Sequence, residues 1–353
     1  MKKVKILILG AGKVAQHYKS IFKEIPDEIY QIVGVCDTNF DAAKSLANHF
    51  NCEYSTEFNS FINKLKPDLA FVLTPSGLHF NHTKLALESD CHVLVEKPIS
   101  NLPLEAKLLK EIAFERKKML VVAFQNRLNP AIQCLKKAMD ENRFGKIVTA
   151  TVRLRWCRYQ EYYNDDWHGT WSLDGGVINQ QAIHHVDVMN WLVGPVSEVC
   201  SVSANQINNL EAEDTLVGII KFKNGALGTI EATTAARPID YEASLSVVGE
   251  KGYAVIGGIA LNKIDTWNFV NPIPEDKDIP QQCSIDVPSG YGLSHKTLLI
   301  ETIQSIRNNE CISPIEIESC ISTCELIHGL YSSHENQKWA KLKDKPLSKY
   351  LGR

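Results

Sequence analysis

The apolar run Val4–Leu9 breaks directly into Gly10-Ala11-Gly12-Lys13-Val14-Ala15, and this break narrows the possible folds more than any other feature of the chain. Glycines placed between a strand and a helix permit a tight turn and let a pyrophosphate come close to the backbone. The helix that follows supplies free N–H groups and a favourable dipole. Ala15, in the third position, is small enough for close packing of helix on strand. Taken alone, the pattern also fits plain turn chemistry, so its surroundings decide.

Those surroundings alternate. Strands are predicted at Tyr30–Cys36, Leu69–Leu73, His92–Glu96 and Met119–Ala123, and helices at Lys13–Lys23, Asp41–Phe50, His79–Ser89 and Pro103–Lys117. Apolar strands separated by helices imply a parallel sheet covered on both faces. Such a doubly wound sheet binds ligands at the carboxyl ends of its strands. The second strand ends in Cys36-Asp37, at the distance from the glycines where an acidic residue meets ribose hydroxyls. A carboxylate there repels a 2′-phosphate, which favours NAD(H) and leaves NADP(H) open. The alternative for Asp37 is a turn residue or the cap of the next helix.

From about residue 146 longer alternating strands take over, at Ile147–Trp156, Glu198–Gln206, Leu216–Phe222, Leu227–Thr234 and Ala243–Val248. Lys223-Asn224-Gly225 predicts a tight hairpin between two of them. One helix is expected from roughly Gly176 to Val193, a surface loop over 272–291, and two closing helices near Ser294–Arg307 and Ile315–Glu335. A chain of 353 residues suits two domains. The expectation is 1–127 for a dinucleotide-binding domain and 128–353 for an α+β domain with a large, mostly antiparallel open sheet and flanking helices. The closing helices could pack back on the first domain.

The formal net charge is −3 with no dense basic block, which argues against nucleic acid as the main partner. No segment nears the roughly 20 apolar residues of a membrane span. The apolar run at 6–9 is too short for a secretory leader, so a cytosolic protein is expected. None of the ten cysteines forms a Cys-x-x-Cys pair, so reduced thiols are expected in preference to disulfides or zinc. No metal site is anticipated; Asp165, Asp166 and Asp174 read as turn and cap residues.

Further motifs stand at the predicted strand ends. Thr74-Pro75 with His79 follows one strand, Glu96-Lys97-Pro98 the next, and Gln125-Asn126-Arg127 the last of the first domain. Gly175-Gly176, His184-x-x-Asp187 and Glu213-Asp214 come later, and Tyr331-x-Ser333 lies in the closing helices. In this order the set resembles the glucose-fructose oxidoreductase / inositol dehydrogenase / rhizopine catabolism (Gfo/Idh/MocA) family, over nearly the whole chain. The resemblance implies a Rossmann domain and an enzyme that moves a hydride between NAD(H) and a carbohydrate hydroxyl or ketone. It implies Lys97 and His184 as catalytic residues, and a homodimer or homotetramer formed through the broad sheet.

On this reading Gly10, Gly12, Lys13, Val14, Ala15, Asp37, Thr74, Pro75, His79, Glu96 and Gln125 border the dinucleotide. His184 accepts the hydroxyl proton, as histidine can near neutral pH. Lys97 hydrogen-bonds the same oxygen and steadies its developing charge. His185, the neighbour of His184, is the confounder; the spacing selects His184, because Asp187 falls on its face of the helix. Arg127, Asn129, Gln180, Gln181, Asp187, Arg237 and His295 are further candidates for substrate contact, with Tyr241 beside Arg237.

Many polyol dehydrogenases of the family carry an aspartate four residues before the histidine, where this chain has Gln180. An amide orients an imidazole but stabilises its cation less than a carboxylate does. Amides there resemble the sugar-nucleotide branch, including UDP-N-acetylglucosaminuronate 3-dehydrogenases, and make free inositol or aldoses the alternative. A non-catalytic sugar sensor is the alternative of another class. Trp156-Cys157-Arg158, Tyr162-Tyr163 and Trp167-His168-Gly169-Thr170-Trp171 supply rings and cations suited to a sugar or base. Trp167 and Trp171 are the candidates there, loop packing and a subunit contact being the other uses of such a cluster.

Overall fold

A computed structural model describes residues 2–353 of the chain. It divides into two compact units: one running to Phe124 and adding His295–Ile321, the other comprising Gln125–Ser294 and Ser322–Arg353.

The first unit holds β1 (Val4–Leu9), α1 (Lys13–Phe22), β2 (Tyr30–Cys36), α2 (Phe40–Phe50), β3 (Glu53–Ser55), α3 (Phe58–Leu65) and β4 (Leu69–Val72). It continues with α4 (His79–Glu88), β5 (His92–Val95), α5 (Pro103–Glu115) and β6 (Leu120–Val122). All its strand pairings are parallel, in the order β3-β2-β1-β4-β5-β6. The strand order reverses between β1 and β4, so the loops leaving these two strands flank the position where doubly wound sheets bind ligands. β4 and β6 are buried along their whole length, as strands covered on both faces must be.

Neither β3 nor α3 was expected. Three residues of β3 are too few to show a period of two. Phe58, Phe61, Ile62 and Leu65 do have helical spacing, and Phe61 and Ile62 are buried.

The second unit carries α6 (Pro130–Asp140), β7 (Ile147–Arg155), α7 (Val177–Gln180), α8 (Ile183–Val193), β8 (Val196–Ala204), β9 (Thr215–Phe222), β10 (Leu227–Thr233), β11 (Glu242–Gly249), β12 (Gly252–Gly257), β13 (Lys263–Phe269) and α9 (Ile279–Gln282). The remaining elements are α10 (His295–Arg307) in the first unit, α11 (Ile317–Asn336) and β14 (Ala340–Lys341). Eight strands form one sheet, β13-β12-β11-β7-β10-β9-β8-β14, antiparallel except where β10 meets β7.

β9 alternates between buried residues and exposed ones, with Thr215 at its start half-buried, so one face of the sheet is apolar core and the other faces outward. The core face packs with Ile132 and Leu135 of α6, Val186 and Met189 of α8, and Leu326, Ile327 and Leu330 of α11. The hairpin between β9 and β10 closes where expected, with Gly225 N donating to Phe222 O at 3.1 Å.

Two expectations are corrected here. The single helix expected over 176–193 is broken into α7 and α8, because Ala182 N reaches back five residues to Val177 O at 2.8 Å. The 272–291 segment is not all loop. It contains α9, and Cys283 immediately after it is disulfide-bonded to Cys134 of α6. The expected fully reduced set of thiols therefore gives way to one pair, 149 residues apart in sequence and invisible to local spacing.

Candidate active site

The first unit supplies a cradle at the start of α1. Gly10 has φ +103°, and a Cβ on it would lie 2.7 Å from the backbone carbon and oxygen of Leu73, so only glycine lets β1 turn past the end of β4. A Cβ on Gly12 would meet no atom within 4 Å. Gly12 is the N-cap of α1 and offers no side-chain cap, and no acidic residue occupies the first turn. An uncapped helix start with open space before it fits a pyrophosphate. Lys13 and Val14 open the helix, and Ala15 is buried beneath it.

Asp37 does not cap α2; Asn39 does, accepting from Ala42 N. The half-buried Asp37 carboxylate instead accepts from Ala11 N and from Asn39 N, each at 2.7 Å. It thus ties the glycine turn to the end of β2, which is where a ribose-binding carboxylate belongs.

Thr74 and Pro75 leave β4, and Lys97 stands half-buried beyond β5. His79 and Glu96 lie deeper. His79 is 1 % exposed, its ring nitrogens lying 2.7 Å from Thr74 O and 2.6 Å from Pro98 O. Both ring nitrogens thus face loop carbonyls and neither is offered to a cofactor; burial pulls the pKa down to about 4, so the neutral ring donates to one of the two. Glu96 accepts from the Tyr18 hydroxyl at 2.9 Å, and burial raises its pKa against the pull of the nearby Lys97 charge. Gln125, just beyond β6, is buried with its Oε1 unpartnered among the described residues. His295 lies in the first unit, buried with ring centroids 5.1 Å from His17 and 5.2 Å from Tyr18, and belongs to that packing.

In the second unit His184 and His185 part company. His185 is 1 % exposed, edge-on to Trp156 at 6.0 Å, and burial pulls its pKa to about 3. It is a neutral core residue. His184 is half-buried on the first turn of α8 and is the one of the two that retains access to solvent.

Asp187 serves a different purpose from the one its spacing suggested. Both of its oxygens are taken by Arg127, at 2.6 and 2.7 Å, with Thr323 Oγ1 adding a third bond at 2.9 Å. The two charged side chains are 3 % and 0 % exposed, so Arg127 and Asp187 neutralise each other in the core and are not available to a substrate. Asn129 is similarly committed, to Ala260 O, Leu261 O and Ser294 Oγ. Trp171 packs between Tyr331 and Tyr350, at 5.1 and 5.6 Å, and anchors the chain end through Gly352 N.

Trp167 is half-buried and stacks on His168 at 3.7 Å. His168 in turn bonds Asp165 at 2.6 Å. Arg237 donates to Thr234 O, Ala236 O and Asn208 Oδ1. With Arg155 and Tyr241 it lines an open cavity of about 520 Å³ at the β9–β10 side of the sheet.

Gln180 and Gln181 are both buried. Gln180 Nε2 donates to Asp174 Oδ1, and Asp174 Oδ2 accepts from Gly169 N at 2.7 Å. The amide standing in place of the family's aspartate is thus itself bonded to a carboxylate. Gln181 Nε2 is buried with no partner among the described residues.

Asp174, Glu213 and Tyr331 gather around the start of α7, and sequence reasoning gave none of them a role there. The available signal was the Gly175-Gly176 pair. Adjacent glycines between a carboxylate and a helix mark a place where other groups come very close.

The whole chain is similar to known oxidoreductases. A family profile described as "Oxidoreductase family, NAD-binding Rossmann fold" matches residues 4–124, and one described as "Oxidoreductase family, C-terminal alpha/beta domain" matches residues 136–342. The solved WlbA dehydrogenase from Bordetella pertussis, in complex with NADH and UDP-GlcNAcA, is 30 % identical with a TM-score of 0.91, covering 96 % of this chain and 98 % of that one. The WlbA enzyme from Chromobacterium violaceum, with the same two ligands, is 31 % identical with a TM-score of 0.89, covering 97 % and 96 %. D-glucoside 3-dehydrogenase of Escherichia coli is 27 % identical over 66 % of this chain and 70 % of its own. With both units matched and the glycine cradle in place, the chain is an oxidoreductase of the Gfo/Idh/MocA family.

Proposed function

We propose that this oxidoreductase oxidises or reduces one carbon of the sugar ring of a nucleotide sugar, with NAD(H) as its redox partner. The observation that carries the reading is the likeness, at 30 % identity and over 96 % of the chain, to a dehydrogenase holding NADH and UDP-GlcNAcA. Gln180 supports it, since this chain lacks the carboxylate of the family's polyol dehydrogenases. The Asp37 carboxylate favours NAD(H) over NADP(H), because a 2′-phosphate beside it would meet like charge.

Bound NAD(H) supplies a nicotinamide that takes up or gives back a hydride from carbon. His184 accepts the hydroxyl proton as that carbon is oxidised and returns it on reduction. Lys97 hydrogen-bonds the same oxygen, stabilising its negative charge as the O–H bond breaks. Gln180, held by Asp174, and Gln181, with its free donor, orient hydroxyl or acyl groups. The outward sheet face exposes Val202, Val217, Ile219, Leu227 and Tyr253, and we assign it to a contact between copies of the chain. We place the protein in the cytosol, with its soluble cofactor.

A panel of UDP-linked and free sugars with NAD, read by NADH absorbance, tests the substrate. Turnover confined to free glycosides would favour the second reading, that of the D-glucoside 3-dehydrogenase relative.

A further inference from the structure

A helix of four residues, α7, leads into the helix that carries His184, and its start has no cap of its own: Gly176 stands at the N-cap without a side chain. Three successive amides there are captured by groups distant in sequence. Gly176 N donates to Tyr331 Oη at 3.0 Å, Val177 N to Glu213 O at 2.9 Å, and Ile178 N to Glu213 Oε1 at 3.1 Å. The Tyr331 hydroxyl closes the set by donating to Glu213 Oε1 at 3.0 Å.

Glu213 is 3 % exposed and Tyr331 1 % exposed, so water does not compete for these bonds. The fit is tight enough to dictate sequence. A Cβ on Gly176 would lie 2.0 Å from Glu213 Oε2 and 2.4 Å from Glu213 O, so the carboxyl occupies the volume that any other residue at 176 would need.

We propose that Glu213, braced by Tyr331, is a positioning residue that fixes the α7–α8 segment and so sets where Gln180, Gln181 and His184 stand; this rests on the reading of His184 as the proton acceptor. The device replaces a local N-cap with a remote one. A serine or aspartate cap at position 176 would reach only the amide of Ile178 or Asn179, and would leave the segment anchored only to itself. The remote cap ties it to α11 through Tyr331 and to the start of β9 through Glu213.

The titratable groups facing Glu213 are Tyr331 from α11 and Asp174 from the turn before α7. Asp214 faces elsewhere, accepting from the backbone of Gln206, Ile207 and Asn208. Burial, with Asp174 adding, raises the Glu213 carboxyl to about 8. It is therefore mostly protonated at neutral pH. Its ionisation in alkali puts a buried negative charge near Asp174, against which the segment loosens.

The test uses the full-length enzyme with NAD and UDP-GlcNAcA, measuring kcat against pH and amide hydrogen exchange of residues 176–178. Glu213→Ala should lower kcat roughly 10–100-fold with NAD affinity within about twofold, and should speed exchange at those amides. Glu213→Gln should restore kcat to within about threefold at neutral pH and should flatten the alkaline fall near pH 8.

Unchanged kcat and unchanged exchange in Glu213→Ala would overturn the proposal. Should that variant not fold, an alkaline limb in Glu213→Gln identical to that of the parent would overturn it instead. His184→Ala, assayed alongside, separates the two readings. Full turnover in that variant removes His184 from the chemistry, whereas the exchange result reports on the segment's anchoring regardless.

Discussion

Single residues shape the glycine cradle. Asp37 holds two backbone amides and points a carboxylate from the end of β2. Asp37→Asn keeps an acceptor for the turn and removes the charge. The ratio of NADP(H) to NAD(H) affinity should rise at least about tenfold, roughly one pKa unit's worth of interaction energy; titration calorimetry with both cofactors checks this, and an unchanged ratio would contradict the role given to Asp37. Gly10→Ala should destabilise the fold by about 1–3 kcal/mol, through its left-handed φ and the approach of Leu73, read as a lowered denaturant midpoint.

Residues were legible in sequence where the demand on them is local, as with Gly10 at the turn out of β1. They were misread where the partner is remote. Arg127 and Asp187, 60 residues apart, both stood as candidates for substrate contact, and they meet in the folded core. His79 and Glu96 sit at strand ends in sequence yet turn inward, and nothing in their spacing records that.

At the scale of elements, the Arg127–Asp187 pair ties α8 to the chain leaving β6, and Thr323 brings in α11. Arg127→Met leaves a buried carboxylate alone and should cost about 3–5 kcal/mol, whereas Arg127→Met with Asp187→Leu should recover most of that loss. Equilibrium unfolding of the three proteins measures it; a double variant no more stable than the single one would show that the pair is more than mutual neutralisation. Strands and long helices could be read from periodicity because each is a local pattern. The break between α7 and α8 could not, because it depends on a five-residue backbone closure and on Glu213 and Tyr331 arriving from elsewhere. β3 carries too few residues for any period, and the Cys134–Cys283 bond joins elements far apart in sequence.

At the scale of the whole molecule, the switch from a parallel to a mostly antiparallel sheet was visible as a change from strand–helix alternation to longer strands with period two. How the outward face of the second sheet is used is a matter of surface. Val217 and Ile219 of β9 expose 47 % and 49 % of their area there, beside Leu227 at 54 %. On the proposed contact between copies, light scattering should find an oligomer in the parent and a monomer in Val217→Lys with Ile219→Lys, and a parent protein already monomeric would contradict the assignment.

Stability should also depend on pH. Glu213 has a pKa raised to about 8 in the fold, against an ordinary carboxyl when unfolded. Its contribution is fully present below the ordinary carboxyl range, declines as pH rises above it, and is lost as pH passes about 8. Melting temperature should therefore fall more steeply in the parent than in Glu213→Gln between the ordinary carboxyl range and about pH 8, and the two should run parallel above it.

The most direct measurement is the rate of NADH formation from UDP-GlcNAcA and NAD by the parent, Lys97→Ala and His184→Ala enzymes, with NAD affinity determined for each. The expected result is turnover by the parent and a loss of about 100-fold or more in both variants, with NAD bound within a few-fold as tightly. Turnover unchanged in both variants, or a parent enzyme inert toward every nucleotide sugar while oxidising free glycosides, would contradict it.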